Sequence, residues 1–366
     1  MIPLNLIDKQ KINWIRVIAI LSTLAMMLYA PDLWITDKNF PVIPLFDWIP
    51  IPISPFDSIL AGVFFMTQVV YIFKPKRFLG WSVLLLYLYL SFVDQNRLQP
   101  YFYQSMLTIL AIVIYKDNTS SKKVIYTIAL IFLATYFWSG VHKLNELFYE
   151  QWMHALQKHI SFVPTSLLQA FTYAVPWLEA LMGILLLFNR TRKITVGFIV
   201  SMHLIIIVLL IYLGYGFNVI PWNVQNILSV LILFWSLKTI SFSELFTDSI
   251  SYQKGLVFLF TFLLPFSNVF GGWDHLLSFS FFTSKLNYYY IKIDKEYAKE
   301  LPPHIQKYYR TNEAMTVIYL NEWAGDTNKV LLYPQERVAK KVERHVRSFS
   351  SNPLQKGLTK LVIYNK

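Results

Sequence analysis

The chain has 366 residues, of which 55% are hydrophobic and 15% charged, with a mean hydropathy of +0.43 and a formal net charge of +12. So little charge cannot clothe a water-soluble protein of this length, and the composition is that of an integral membrane protein. Cysteine is absent, which excludes disulfides, thiol redox chemistry and Cys-ligated zinc or iron–sulfur centres in this chain.

Apolar runs approaching the ~20 residues needed to cross a bilayer recur about nine times. They are expected near 13–30, 56–73, 79–93, 101–115, 124–141, 171–188, 195–213, 221–237 and 255–270. The first follows Lys9, Lys11 and Arg16 without a small-residue cleavage site, so it reads as a retained helix. Those at 79–93 and 101–115 are short and are expected to extend into their polar link. Basic loops at Lys74/Lys76/Arg77, Lys116/Lys122/Lys123, Arg190/Arg192/Lys193 and Lys238/Lys254 alternate with loops poor in Lys and Arg. The excess of positive charge on the inner side then predicts a cytoplasmic N-terminus and an outside C-terminus, in a bacterial inner membrane.

Three outer segments differ from short loops. Residues 31–57 are rich in Pro and Trp, which argues against a regular helix and suits the interface. Residues 91–104 form a polar link. In residues 145–171, Phe148, Trp152, Leu156 and Ile160 share one helical face, as in a helix lying in the interface.

From Lys285 onward the chain carries 15 Lys+Arg against 8 Asp+Glu. No nucleic-acid motif accompanies this charge, so a solvated surface or anionic lipid headgroups are its expected surroundings. "NYYYIKI", "AMTVIYL", "KVLLYP" and "KLVIYN" read as strands, with "KEYAKE" and "PQERVAKKVERHVRSF" as helices between them. That order suits a small split βαβ domain. The expected fold is therefore an α-helical polytopic membrane domain over 1–284 and a small extracytoplasmic α+β domain over 285–366.

Ionisable residues at membrane depth are functional candidates by default. Glu179 stands in mid-span, where a carboxylate needs a proton, a cation or a bundle interior. His203 stands early in the next span, where a lone buried histidine is more often a packing residue. His142 and Lys143 close their span with no acid beside them; a lysine there snorkels, or, held in a dry pocket, loses its proton readily and can act as a base. Asp94, Asn96, Arg97 and Gln99 lie in the link, where Asp94 and Arg97 could pair and Tyr101 could belong to an aromatic belt. His142 and His203 fall toward opposite ends of their spans, which argues against a haem pair. His154 and His159 lack the i,i+4 spacing of a metal pair, and no metal is expected.

"YFWSGVHKLN" (136–145), followed by an interfacial segment with a Trp, resembles a segment of the horizontally transferred transmembrane family, whose best-known member is vitamin K-dependent gamma-carboxylase. "PWLEALMGILLLFNRTRK", "SMHLIIIVLLIYLGYGFNV" and "DQNRLQPYFYQ" are similar to further segments of it, in the same order. The resemblance implies a quinone- or lipid-linked enzyme, with Lys143 as the base that deprotonates a reduced, vitamin K-like quinone. Glu179, His203 and His142 would complete the catalytic set. Asp94, Asn96, Gln99, Tyr101, Tyr136, Asn145 and Trp152 would line the substrate site. Membrane lipid, a quinone and an extracytoplasmic protein or peptide are the implied partners. Tyr101 stands where the carboxylase has a histidine, and only about 80 residues follow the last span, so the reaction would differ from peptide carboxylation. The spans with an acidic residue are also similar to the DoxX and MauE redox-associated membrane proteins. A non-catalytic scaffold that anchors the C-terminal domain is the alternative from a different class.

Overall fold

The computed structural model describes residues 6–214, 216–235, 245, 251–311 and 315–364. Among these, six helical stretches are long and apolar enough to cross a membrane: α1 (Asp8–Tyr29), α2 (Phe56–Phe73), α5 (Ser121–His142), α7 (Thr165–Leu185), α8 (Arg192–Leu213) and Phe217–Phe234, which contains α9 (Ile220–Phe234). Two shorter apolar helices are α3 (Arg77–Val93) and α4 (Pro100–Val113). The chain is thus a multi-pass membrane protein. The basic loop at Lys238 lies outside the described residues.

The chain divides into two compact units. The first comprises Met1–Ala25, Gln68–Leu84 and Pro100–Lys285. Helix α5 is its core: nearly every residue from Val124 to Tyr136 is buried. By contrast α8 exposes Ile194, Phe198, Leu204, Ile205, Val208 and Ile211, an apolar surface that suits lipid. Between α5 and α7 runs α6 (Glu146–His159). Asn145 caps it by accepting from Phe148 N at 3.0 Å, and Phe148, buried, stacks on Trp152. On the expected face Phe148 is buried, Trp152 and Leu156 are half-buried, and Ile160 falls at the C-cap just beyond the helix.

Helices α5 and α7 approach closely because each contributes a glycine. A Cβ on Gly140 would lie 2.3 Å from Ala180 N and 2.4 Å from Pro176 O; one on Gly183 would lie 2.7 Å from Phe137 N. The segment at 252–268 breaks into α10 (Tyr252–Phe258), a π turn (Leu259–Leu263) and α11 (Leu264–Asn268). Pro265 has no N–H to return to the preceding turn, and Tyr103 Oη donates to Phe260 O at 3.1 Å instead.

The second unit comprises Met26–Thr67, Leu85–Gln99 and Leu286–Lys366. Its sheet has the order β2-β3-β1-β4, all antiparallel, from β1 (Tyr288–Ile293), β2 (Tyr309–Thr311), β3 (Thr316–Tyr319) and β4 (Thr359–Tyr364). Tyr289, Ile291 and Ile293 alternate into the core. The chain runs β1, two short helices α12 (Lys295–Glu300) and α13 (Pro303–Gln306), β2, β3, α14 (Leu320–Asn328), α15 (Glu336–Arg347), β4. "KVLLYP" is not a strand. Val330, Leu332 and Tyr333 are buried, but the backbone N–H groups of Leu332 and Tyr333 bond to Asn321 Oδ1 and Asn96 Oδ1, which substitutes for a sheet ladder.

The polar link does not lengthen α3 or α4. Asp94 accepts from Asn96 N at 3.0 Å and caps a 3₁₀ turn at Gln95–Arg97, and Pro100 opens α4. Asp94 pairs with Lys38 at 2.9 Å rather than with Arg97, and both partners are buried. Arg97 donates to Leu33 O and Leu90 O, each at 2.8 Å. Burial pushes the Lys38 ammonium below its ordinary 10.5, against the raising effect of Asp94. Asp94→Asn would strand that charge and is expected to cost about 3 kcal/mol in chemical denaturation. In the variant the folded-state Lys38 value falls further, so the unfolded chain binds more protons just below pH 10.5. Stability should then rise with pH across that window more steeply than in the parent.

Candidate functional site

In the first unit, Tyr136 and Ser139 of α5 and its C-cap residue Lys143 stand at i, i+3 and i+7, which places them on one face. The Gly140 and Gly183 contacts bring α7 close enough for Glu179 to reach that face. Lys143 Nζ lies 2.5 Å from Glu179 Oε2, and Ser139 Oγ donates to the same oxygen at 2.8 Å. Lys143 Nζ also donates to Ser139 Oγ at 3.0 Å. The two charged side chains are only 9% and 12% exposed, so the pair is held largely out of water. The acid that the local sequence lacks beside Lys143 thus arrives from the neighbouring span.

One turn or two deeper, Tyr136 Oη lies 3.0 Å from His203 Nε2, and His203 Nδ1 lies 2.7 Å from Asn223 Oδ1. Asn223 Nδ2 donates to Val219 O at 2.8 Å, which fixes its Oδ1 as an acceptor. In the neutral imidazole, His203 therefore donates from Nδ1 and accepts the tyrosine proton at Nε2. His203 is within electrostatic reach of both Glu179 and Lys143. It belongs to the same cluster as Lys143, not to the far end of the bundle.

A layer of uncharged polar groups adjoins the cluster. Gln104 Nε2 donates to Thr135 Oγ1 at 2.9 Å and to Asn226 Oδ1 at 3.1 Å, while Trp222 Nε1 donates to Gln104 Oε1. Ser105 Oγ donates to Gln225 Oε1 at 3.0 Å. Ser139, Asn223, Gln104 and Asn226 were not among the expected site residues. The signal for three amides was present in "PWNVQN", which puts Asn223, Gln225 and Asn226 inside an apolar run.

The other expected residues separate from this cluster. His142 has its ring stacked on Trp138 at 5.4 Å. Asn145 caps α6 and also donates to His142 O and Thr283 O. Trp152 lies on α6 against Phe148. Tyr101 is buried edge-on against Phe102 at 4.7 Å. Asp94, Asn96 and Gln99 belong to the second unit, where they bond to Lys38, Tyr333 N and Leu331 O and brace its loops. Among the described residues, no three His, Asp or Glu side chains are grouped to hold a metal.

The cluster can hold a buried, compensated charge and exchange protons across short hydrogen bonds.

Residues 121–222 match the model of one protein family, the methylamine utilisation protein MauE. The match spans α5 to the start of α9, the helices that carry Tyr136, Lys143, Glu179 and His203. No curated protein and no solved structure gives a match. The matching family is MauE and not the horizontally transferred transmembrane family. The resemblance to the gamma-carboxylase, and the carboxylase-like enzyme with Lys143 as its base, are corrected accordingly.

Proposed function

We propose that the chain is a DoxX/MauE-like, redox-associated membrane protein whose α5–α9 bundle provides a proton-handling polar core. The observation that carries this is the coincidence of the MauE match with the helices that assemble Lys143, Glu179, Tyr136 and His203. A lipid-soluble redox carrier gains or loses protons with its electrons, and a carboxylate–ammonium pair beside a Tyr–His hydrogen bond is chemistry suited to that exchange. A carrier of the quinone class is the ligand we propose for it. With no cysteine in the chain, electrons would be exchanged with a separate extracytoplasmic partner and not with a thiol of this protein. In this proposal α3, α4 and the 252–268 segment also cross the bilayer, making nine passes. The N-terminus is cytoplasmic and residues 285–366 face outside.

Quinones quench tryptophan emission, and Trp222 bonds to Gln104 in the polar layer beside the core. Full-length protein in nanodiscs, titrated with a short-chain ubiquinone, should show saturable quenching. Emission that falls only linearly with quinone, as expected from partition into lipid, would contradict the proposal.

A further inference from the structure

A second group of polar atoms lies on another face of α5, and the redox proposal does not use it. Trp138 Nε1 and His142 Nε2, one helical turn apart, are buried without a hydrogen-bond partner. Buried polar atoms are nearly always paired, because one left unpaired has given up its hydration with nothing in return. Two on one stacked pair of rings therefore call for a ligand. Trp138 packs on Phe266 at 6.3 Å. The turn that follows brings Asn268, whose Nδ2 donates to Trp273 O at 2.5 Å and lies 3.2 Å from His275 Nδ1. That contact makes His275 Nδ1 the acceptor, so the neutral ring carries its proton on Nε2. Trp273 Nε1 is also buried and unpartnered. His275 and Lys285 are within electrostatic reach of His142. Asp274 is the acid within reach of His275.

The indoles and the ammonium are donors only, and both imidazoles can donate from Nε2. A ligand for such a set must offer several acceptor oxygens, and the Lys285 charge favours an anion over a neutral carbonyl. Trp138 and His142 close a membrane span, the depth at which phosphodiesters of lipid headgroups lie. From this placement we infer that Trp138, His142, His275 and Lys285 form a binding site for a phosphate-type oxyanion, carried by an anionic phospholipid headgroup or supplied as free phosphate.

The test uses the full chain. Protein purified in mild detergent is exposed to equal amounts of phosphatidylglycerol and phosphatidylcholine and examined by native mass spectrometry. In a second arm, tryptophan emission is followed while inorganic phosphate is added. Preferential retention of one phosphatidylglycerol per chain, reduced at least tenfold in Lys285→Gln and in His142→Phe, supports a lipid site. A saturable response to phosphate, lost in the same variants, supports the site with a free oxyanion. Lys285 lies outside the helices, so Lys285→Gln reports on the site even where His142→Phe fails to fold. Equal retention of the two lipids with no phosphate response, or retention unchanged in Lys285→Gln, would overturn the inference.

Discussion

Gly140→Leu is expected to abolish the folded protein. The first added carbon would sit 2.3 Å from Ala180 N and 2.4 Å from Pro176 O, and both obstacles are backbone. Overpacking against movable side chains costs roughly 1–3 kcal/mol. Here α7 itself must move, and with it the reach of Glu179 to Lys143, so the cost should exceed about 3 kcal/mol. Gly183→Leu should behave similarly, with a Cβ 2.7 Å from Phe137 N. Gly62→Ala is the control, since a Cβ there meets nothing within 4 Å. The check is the fraction of monodisperse protein recovered in detergent and its thermal midpoint. Near-parental values for Gly140→Leu would mean that α5 and α7 are farther apart than described.

The second large effect is expected at the ion pair. Glu179→Leu leaves Lys143 in a poorly hydrated site with only Ser139 as a partner, and Lys143→Met leaves Glu179 without its cation. Removing one member of a buried pair typically costs about 3–5 kcal/mol, whereas replacing both by apolar groups is often nearly neutral. Each single variant should therefore unfold at markedly lower denaturant than the parent. The double variant Lys143→Met/Glu179→Leu should recover most of the loss. If the single variants and the double variant were all as stable as the parent, the pair would not be held as described.

Much of the membrane architecture was legible because hydropathy is local. The run expected at 56–73 is α2, and those near 124–141 and 195–213 fall within α5 and α8. The tail strands at Tyr288–Ile293 and Thr359–Tyr364 announced themselves by alternation and β-branched content, whereas "KVLLYP" did the same and is not a strand. Its backbone partners, Asn321 and Asn96, are side chains that periodicity cannot see. The candidate site was harder to read. Lys143 and Glu179 were each conspicuous, but their pairing depends on the Gly140 and Gly183 approach between helices. The link residues Asp94, Asn96 and Gln99 were conspicuous too, as polar groups beside spans. Their partners are Lys38 and backbone atoms of the 331–333 segment, so their polarity serves loop bracing. The amides of Trp222–Asn226 went unread because uncharged side chains barely interrupt an apolar run.

In the proposed function the Lys143–Glu179 pair, with Tyr136 and His203, is the working core of a redox-associated bundle and not only a structural clamp. The double variant separates these two roles, because it is expected to fold. Quinone titration of Lys143→Met/Glu179→Leu in nanodiscs, followed by tryptophan quenching beside the parent, is the most direct measurement. The account predicts saturable binding in the parent and affinity at least tenfold weaker in the folded double variant. Equal, saturable binding in both would contradict it.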